Sequence, residues 1–160
     1  MSEEQTESKP EETIQLVVFG LASEEYAFDI SKVREIVRVK EITRIPNAPS
    51  YVRGVINLRG KIIVVIDLGK KLGLESELTE SARIIVLEIA DRTAGVIVDS
   101  VSEVLRLNKE GIQEPPSEIA DKINMKFLKG VCVLDERLLI MLEPDEILKE
   151  EELEDLKKIK

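Results

Sequence analysis

Histidine and tryptophan are absent from the 160 residues, and cysteine occurs once. Without histidine, neither a Ser-His-Asp nor a Cys-His nucleophile can be assembled within the chain. Histidine-bearing zinc sites fall on the same ground. The lone Cys132 cannot close an internal disulfide, which suits a reducing cytoplasm. Its apolar neighbours in Gly-Val-Cys-Val-Leu predict a buried structural thiol rather than a reactive one. Aromatic residues make up 3% of the chain, too few and too scattered for base stacking. No apolar run approaches the ~20 residues of a bilayer span, so no direct membrane insertion is expected. Basic charge is in deficit: 23 Lys and Arg face 32 Asp and Glu, for a net charge of −9. That argues against nucleic acid, whose phosphates demand a basic face, and against an anionic membrane surface. The first residues, Met-Ser-Glu-Glu-Gln-Thr-Glu, are acidic where a signal peptide would be basic.

Hydrophobic residues make up 43% of the chain and charged residues 34%, as in a folded soluble protein. A chain of this length buries about two-thirds of its unfolded surface and needs no disulfide or metal to hold it. High charge with few Asn, Gln, Met and Cys resembles thermophile usage. Residues 1–12 carry five glutamates and read as a disordered lead-in. From Thr13 onward the pattern is that of short strands. Leu16–Phe19 and Tyr26–Ile30 form a predicted hairpin, and Ser31–Val39 a helical turn leading into a strand. Val52–Leu58 and Lys61–Leu68 flank a turn at Arg59-Gly60, and Gly69–Leu74 forms a short helix ending at a glycine. Ile84–Ile89 and Ala94–Val98 pair next, Val101–Leu107 is extended, and Glu114–Asn124 with its two prolines is a loop. Phe127–Leu134 and Arg137–Leu142 make the last hairpin. From Glu143 a helix is expected, with Ile147, Leu148, Leu153, Leu156 and Ile159 on one side.

The chain repeats itself. A shift of 68 positions lays Leu16–Phe19 on Ile84–Leu87 and Val33–Val39 on Val101–Leu107. A shift of 76 lays Val52–Leu58 on Leu128–Leu134 and Ile62–Ile66 on Leu138–Leu142. The second half therefore carries an eight-residue insertion, placed near Pro115-Pro116. Five short strands per unit is the size of a small SH3-like barrel, and closure removes exposed edges. The predicted fold is all-β with short helices: two tandem, intertwined five-stranded SH3-like barrels related by a pseudo-twofold. The repeat units span about 14–74 and 84–148 within a domain over 13–150, followed by a C-terminal helix extension over 151–160.

No constellation speaks for catalysis. Asp67, Asp91, Asp99 and Asp135 stand at predicted strand ends or turns, the usual place of a solvated or a capping carboxylate, with acid–base work or a hard cation at a pair of them as the alternative. Arg59 is different. The equivalent turn has Asp135-Glu136, so the fold does not call for an arginine there. Its guanidinium suits an internal carboxylate pair or hydrogen bonds to a partner.

Three stretches make the sequence resemble a known family: Glu24–Ile30, Val33-Arg-Glu35-Ile36, and Val52–Leu68 with its Asn57-Leu58-Arg59-Gly60 core. It is similar to the CheW family of chemotaxis coupling proteins over roughly 13–150. Val64-Val65 departs from the family, which commonly has a proline there. The resemblance implies two SH3-like barrels on a shared core, no cofactor and no activity of its own. It implies two partners: the regulatory domain of the histidine kinase CheA and the cytoplasmic signalling tip of chemoreceptors. The protein would then be cytoplasmic and recruited to membrane receptor arrays. Receptor contacts would fall on Val17, Ile30, Val33, Ile36 and Val101, with Arg59 nearby, in the groove between the barrels. For any one of these aliphatics, ordinary core is the alternative. Kinase contacts would fall on Glu35, Ile45, Arg53 and Gly54, with Glu35 alternatively a solvated strand residue. Rival readings are a CheW-like module of another two-component system, a nucleic-acid-binding tandem barrel, which the charge disfavours, and an enzyme.

Overall fold

A computed structural model describes residues 12–89 and 91–147. The acidic lead-in before Glu12, the helix face beyond Ile147 and the 151–160 extension lie outside these residues.

The elements follow the predicted order. They are β1 (Thr13–Leu21), β2 (Glu24–Asp29), β3 (Val33–Arg38), β4 (Val52–Leu58), β5 (Lys61–Asp67), α1 (Leu68–Leu72), β6 (Arg83–Ile89) and β7 (Arg92–Val98). After them come β8 (Ser100–Asn108), β9 (Ile112–Gln113), α2 (Ser117–Ala120), β10 (Leu128–Leu134), β11 (Arg137–Leu142) and α3 (Pro144–Ile147). Asp67 caps α1 by accepting the Lys70 amide, and Gly73 ends it in the left-handed region.

The strands form two sheets, ordered β8-β1-β2-β11-β10-β9 and β3-β6-β7-β5-β4. Neither sheet is contiguous in sequence. The opening hairpin of each repeat is exchanged: β1–β2 pairs with β8 and β11, while β6–β7 pairs with β3 and β5. The links explain it. The turns at Ala22-Ser23 and Arg59-Gly60 have positive φ throughout and fold the chain back on itself. Residues 30–32 and Asp99 have no such backbone, so β2 and β7 run onward into the other sheet. The repeat units 14–74 and 84–148 therefore do not each own a sheet.

Each sheet is closed by the chain leaving its edge strand. Beyond β3, Thr43 exchanges hydrogen bonds of 2.9 and 2.8 Å with Val55 of β4. Beyond β8, Gln113 of β9 pairs with Val131 of β10, the repeat equivalent of Val55. The result is two SH3-like barrels. The closing chain also explains two glycines. A methyl on Gly54 would overlap the Thr43 carbonyl, and φ there is 141°. One on Gly130 would lie 2.6 Å from Ile112 and 3.0 Å from the Gln113 oxygen.

Three cores result. Leu16, Val18, Cys132 and Met141 fill one barrel, and Ile56, Val65, Ile84 and Ile97 fill the other. The largest lies between them, built on Phe19, Tyr26 and Phe28 from one sheet and Ile85, Leu87 and Val96 from the other. Cys132 is the buried thiol expected, its pKa pushed up by burial. The segment read as a loop over 114–124 differs from expectation. It contains α2, entered at Pro116, which places Ile119 and Ile123 in the central core. Proline is compatible with helix entry, and the short helix gives the inserted residues something to bury.

Candidate interaction surface

The β4–β5 turn places Arg59 and Gly60 at φ 50° and 84°. A non-glycine residue with positive φ is unfavourable, and the favoured residue at this position of a two-residue hairpin turn is Asn or Asp. Asn57 supports the turn by accepting the Gly60 amide at 2.8 Å. Arg59 is used for its side chain. Its guanidinium donates to both oxygens of Glu35 on β3, each at 2.6 Å. This hydrogen bonding holds the Glu35 carboxyl below its ordinary range, with the nearby positive charge of Arg59, Arg34 and Lys40 adding to it. The pair spans a small cavity of about 130 Å³ that Leu58 and Ile63 also line. Glu35 is thus no merely solvated strand residue: its side chain is 21% exposed, against 69% for Arg59.

The second half repeats the theme by other means. Glu103, the equivalent of Glu35, accepts from Arg137 at 2.7 Å, and Arg137 also donates to Glu25. The Asp135-Glu136 tip itself carries no arginine. The cation enters from the start of β11 instead of from the turn.

A β-bulge sorts the residues around Glu35. The β3–β6 register shifts between Val33 and Glu35, leaving Arg34 unpaired. Val33 and Ile36 then stand opposite Leu87 and Ile85 of the central core, while Glu35 and Val37 stand opposite Val86 and Ile84 of the barrel core. Residues three apart share a face because of the bulge, where a regular strand would oppose them. The helical turn expected here is the 3-10 turn over Ile30–Lys32, which leads into β3, and the bulge carries its three-residue spacing on from Val33 to Ile36. The equivalent bulge falls at Ser102 between β1 and β8. It sets Val101 opposite Phe19 and Val104 opposite Val17.

Of the expected receptor residues, Val33 and Val101 are half-buried and pack on the central core, and Ile30, three residues before Val33, is half-buried too. Ile36 is 38% exposed. Val17 is corrected: at 1% exposure, enclosed between Phe28 and Val104 in register, it offers no surface to a partner. Val104 was missed, although at 49% exposure it is the more open counterpart of Ile36. The 68-residue shift carried that signal.

The expected kinase residues divide. Glu35 belongs with Arg59. Ile45 and Arg53 meet in another cleft, formed by the 44–50 loop and α1. Gly54 is corrected: it is buried against the Thr43 carbonyl, and its requirement is structural. Among the described residues, no three His, Cys, Asp or Glu side chains form a metal-binding group. No helix there is long and apolar enough to cross a membrane.

Comparison with known proteins matches residues 15–152 to the family described as CheW-like domain. The chemotaxis protein CheW of Klebsiella aerogenes is 39% identical over 140 residues, covering 87% of this chain and 84% of that protein. That of Treponema pallidum is 35% identical over 151 residues, covering 91% and 88%. Among solved structures, the scaffolding protein TtCheW of Thermoanaerobacter tengcongensis superposes with a TM-score of 0.76 at 40% identity. It covers 81% of this chain and 84% of that one.

Proposed function

The chain belongs to the CheW family, and from that membership we propose that it is a chemotaxis scaffold coupling chemoreceptors to the histidine kinase CheA. The observation that carries the reading is the family match across residues 15–152, together with the likeness to the scaffolding protein TtCheW. The protein performs no chemistry of its own. It works in the cytoplasm by holding partners at fixed geometry, so that a receptor shift biases a kinase equilibrium.

The receptor tip lies along the strip where the central core meets the surface, over Ile30, Val33, Ile36, Val101 and Val104. The Arg59–Glu35 pair stands on the other face of β3, with a guanidinium exposed enough to donate to a partner. The kinase regulatory domain takes the cleft at Ile45 and Arg53. A rigid double barrel supports this role. The exchanged hairpins stitch both sheets together, so neither barrel can turn without disturbing the other.

The test is capture of a chemoreceptor signalling tip and of a CheA regulatory domain by the immobilised protein. Binding of both, simultaneously, is expected. Failure to hold either one defeats the adaptor reading.

A further inference from the structure

We propose that the cleft between the 44–50 loop and α1 binds an acidic peptide segment, and that the kinase regulatory domain presents one there. The second half of this inference rests on the kinase contact proposed above.

The chain carries a net charge of −9, yet this cleft has the opposite sign. Arg44, Arg53 and Lys70 line a volume of about 540 Å³ with Ile45, Pro49 and Val52, and no acidic side chain lines it. A second lobe of about 400 Å³ shares the same three cations. Among the described residues, Arg53 touches one carboxylate, Asp67, at a long 3.4 Å. The other oxygen of Asp67 is already engaged with the Lys70 amide. Arg44 and Lys70 have no acidic partner among the described residues, and both are exposed. Three gathered cations on an acidic protein repel one another and focus the local field toward an anion. Guanidinium groups favour carboxylates, which they grip at two points.

The walls add selectivity. Ile45 and Val52 offer an apolar floor, so a segment with an aliphatic residue flanked by carboxylates fits better than a free anion. The loop is already ordered. Val52 donates to the Pro49 carbonyl at 2.9 Å, Asn47 holds a left-handed turn at φ 65°, and Thr43 is tied to β4. Two prolines, Pro46 and Pro49, restrict what remains. A binding surface ordered beforehand loses little entropy on association.

The experiment uses the full chain and a fluorescein-labelled peptide, Glu-Glu-Ile-Glu-Glu, followed by anisotropy. Saturable binding that weakens with salt is expected, with Arg44→Glu and Lys70→Glu each weakening it about tenfold. Lys129→Glu, at the repeat equivalent of Arg53, should leave it unchanged. Absence of binding, or binding indifferent to both reversals, overturns the cleft. The same variants are then offered the kinase regulatory domain and the receptor tip. Loss of kinase capture with receptor capture kept supports the inference. Full kinase capture by both variants overturns it while the adaptor reading stands. If the unaltered protein captures no kinase, the adaptor reading fails, and the peptide measurement alone decides what the cleft binds. Thermal melts confirm that the variants are folded.

Discussion

Arg59 holds Glu35 with two hydrogen bonds of 2.6 Å, tying the tip of the β4–β5 hairpin to β3 at the end of one barrel. The sequence suggested one residue for the receptor and the other for the kinase. Their side chains form a single feature, and any partner that meets one meets the other. A substitution at either position therefore acts on both.

Replacing Arg59 by Ala should leave the fold standing, because its side chain is largely exposed and exposed pairs contribute little. Receptor capture should fall sharply, and so should capture by Glu35→Gln. The pair also has a pH signature. The folded Glu35 carboxyl titrates below its unfolded value, so its stabilisation is present above the unfolded pKa and is lost as pH falls through the folded one. The melting-temperature gap between the parent and Arg59→Ala should shrink below about pH 4.3, the ordinary glutamate value. A gap that is constant through the acid range would sink the assignment.

Ile36 and Val104 should be separable from the core. Both are more than a third exposed, so Ile36→Asp and Val104→Asp should fold. Each should weaken binding of a receptor tip about tenfold or more if the apolar strip is the contact. Ile62→Asp, at the hairpin tip and 58% exposed, should not. Titration calorimetry against the isolated tip checks this.

Gly54→Ala should destabilise by about 3 kcal/mol or more, because the methyl meets the Thr43 carbonyl and the backbone is left-handed. Gly130→Ala should cost less. Its methyl meets the movable Ile112 side chain first, and its φ is unremarkable. Urea unfolding of the two variants gives the order directly.

Tyr26 gives an alkaline signature. It is buried in the central core, and burial, with Glu24 nearby, pushes its pKa up to about 12. A folded value above the unfolded value near 10 keeps the stabilisation intact below pH 10 and removes it as pH rises toward 12. Tyr26→Phe should flatten that decline and leave stability near neutral pH little changed. An unchanged alkaline slope in the variant would assign the effect elsewhere.

What could be read in advance was local or periodic. Alternation marked the strands, the glycine and turn residues marked their ends, and two shifts exposed the duplication and its insertion. Asp67 and Asp99 stand at strand ends that suit a solvated or a capping carboxylate alike; Asp67 caps α1 through the Lys70 amide, and Asp99 accepts from the distant Ala22 amide. The Asn57-Leu58-Arg59-Gly60 turn was legible because it joins a backbone signature to an unexpected side chain.

The tertiary structure alone decided which residues meet across the chain. Nothing local says that β1–β2 leaves its own repeat, since pairing with either set of strands buries the same alternation. The choice follows from two links that lack a reversing turn. Burial of Val17 and exposure of Val104 likewise depend on a bulge that swaps faces at Ser102, which a period of two cannot reveal. The sequence by itself determined the strands, the repeat and the family. The pairing of Arg59 with Glu35 and the gathering of Arg44, Arg53 and Lys70 needed three dimensions, because contacts between distant residues are set by strand order and register, and neither is written in any short stretch of chain.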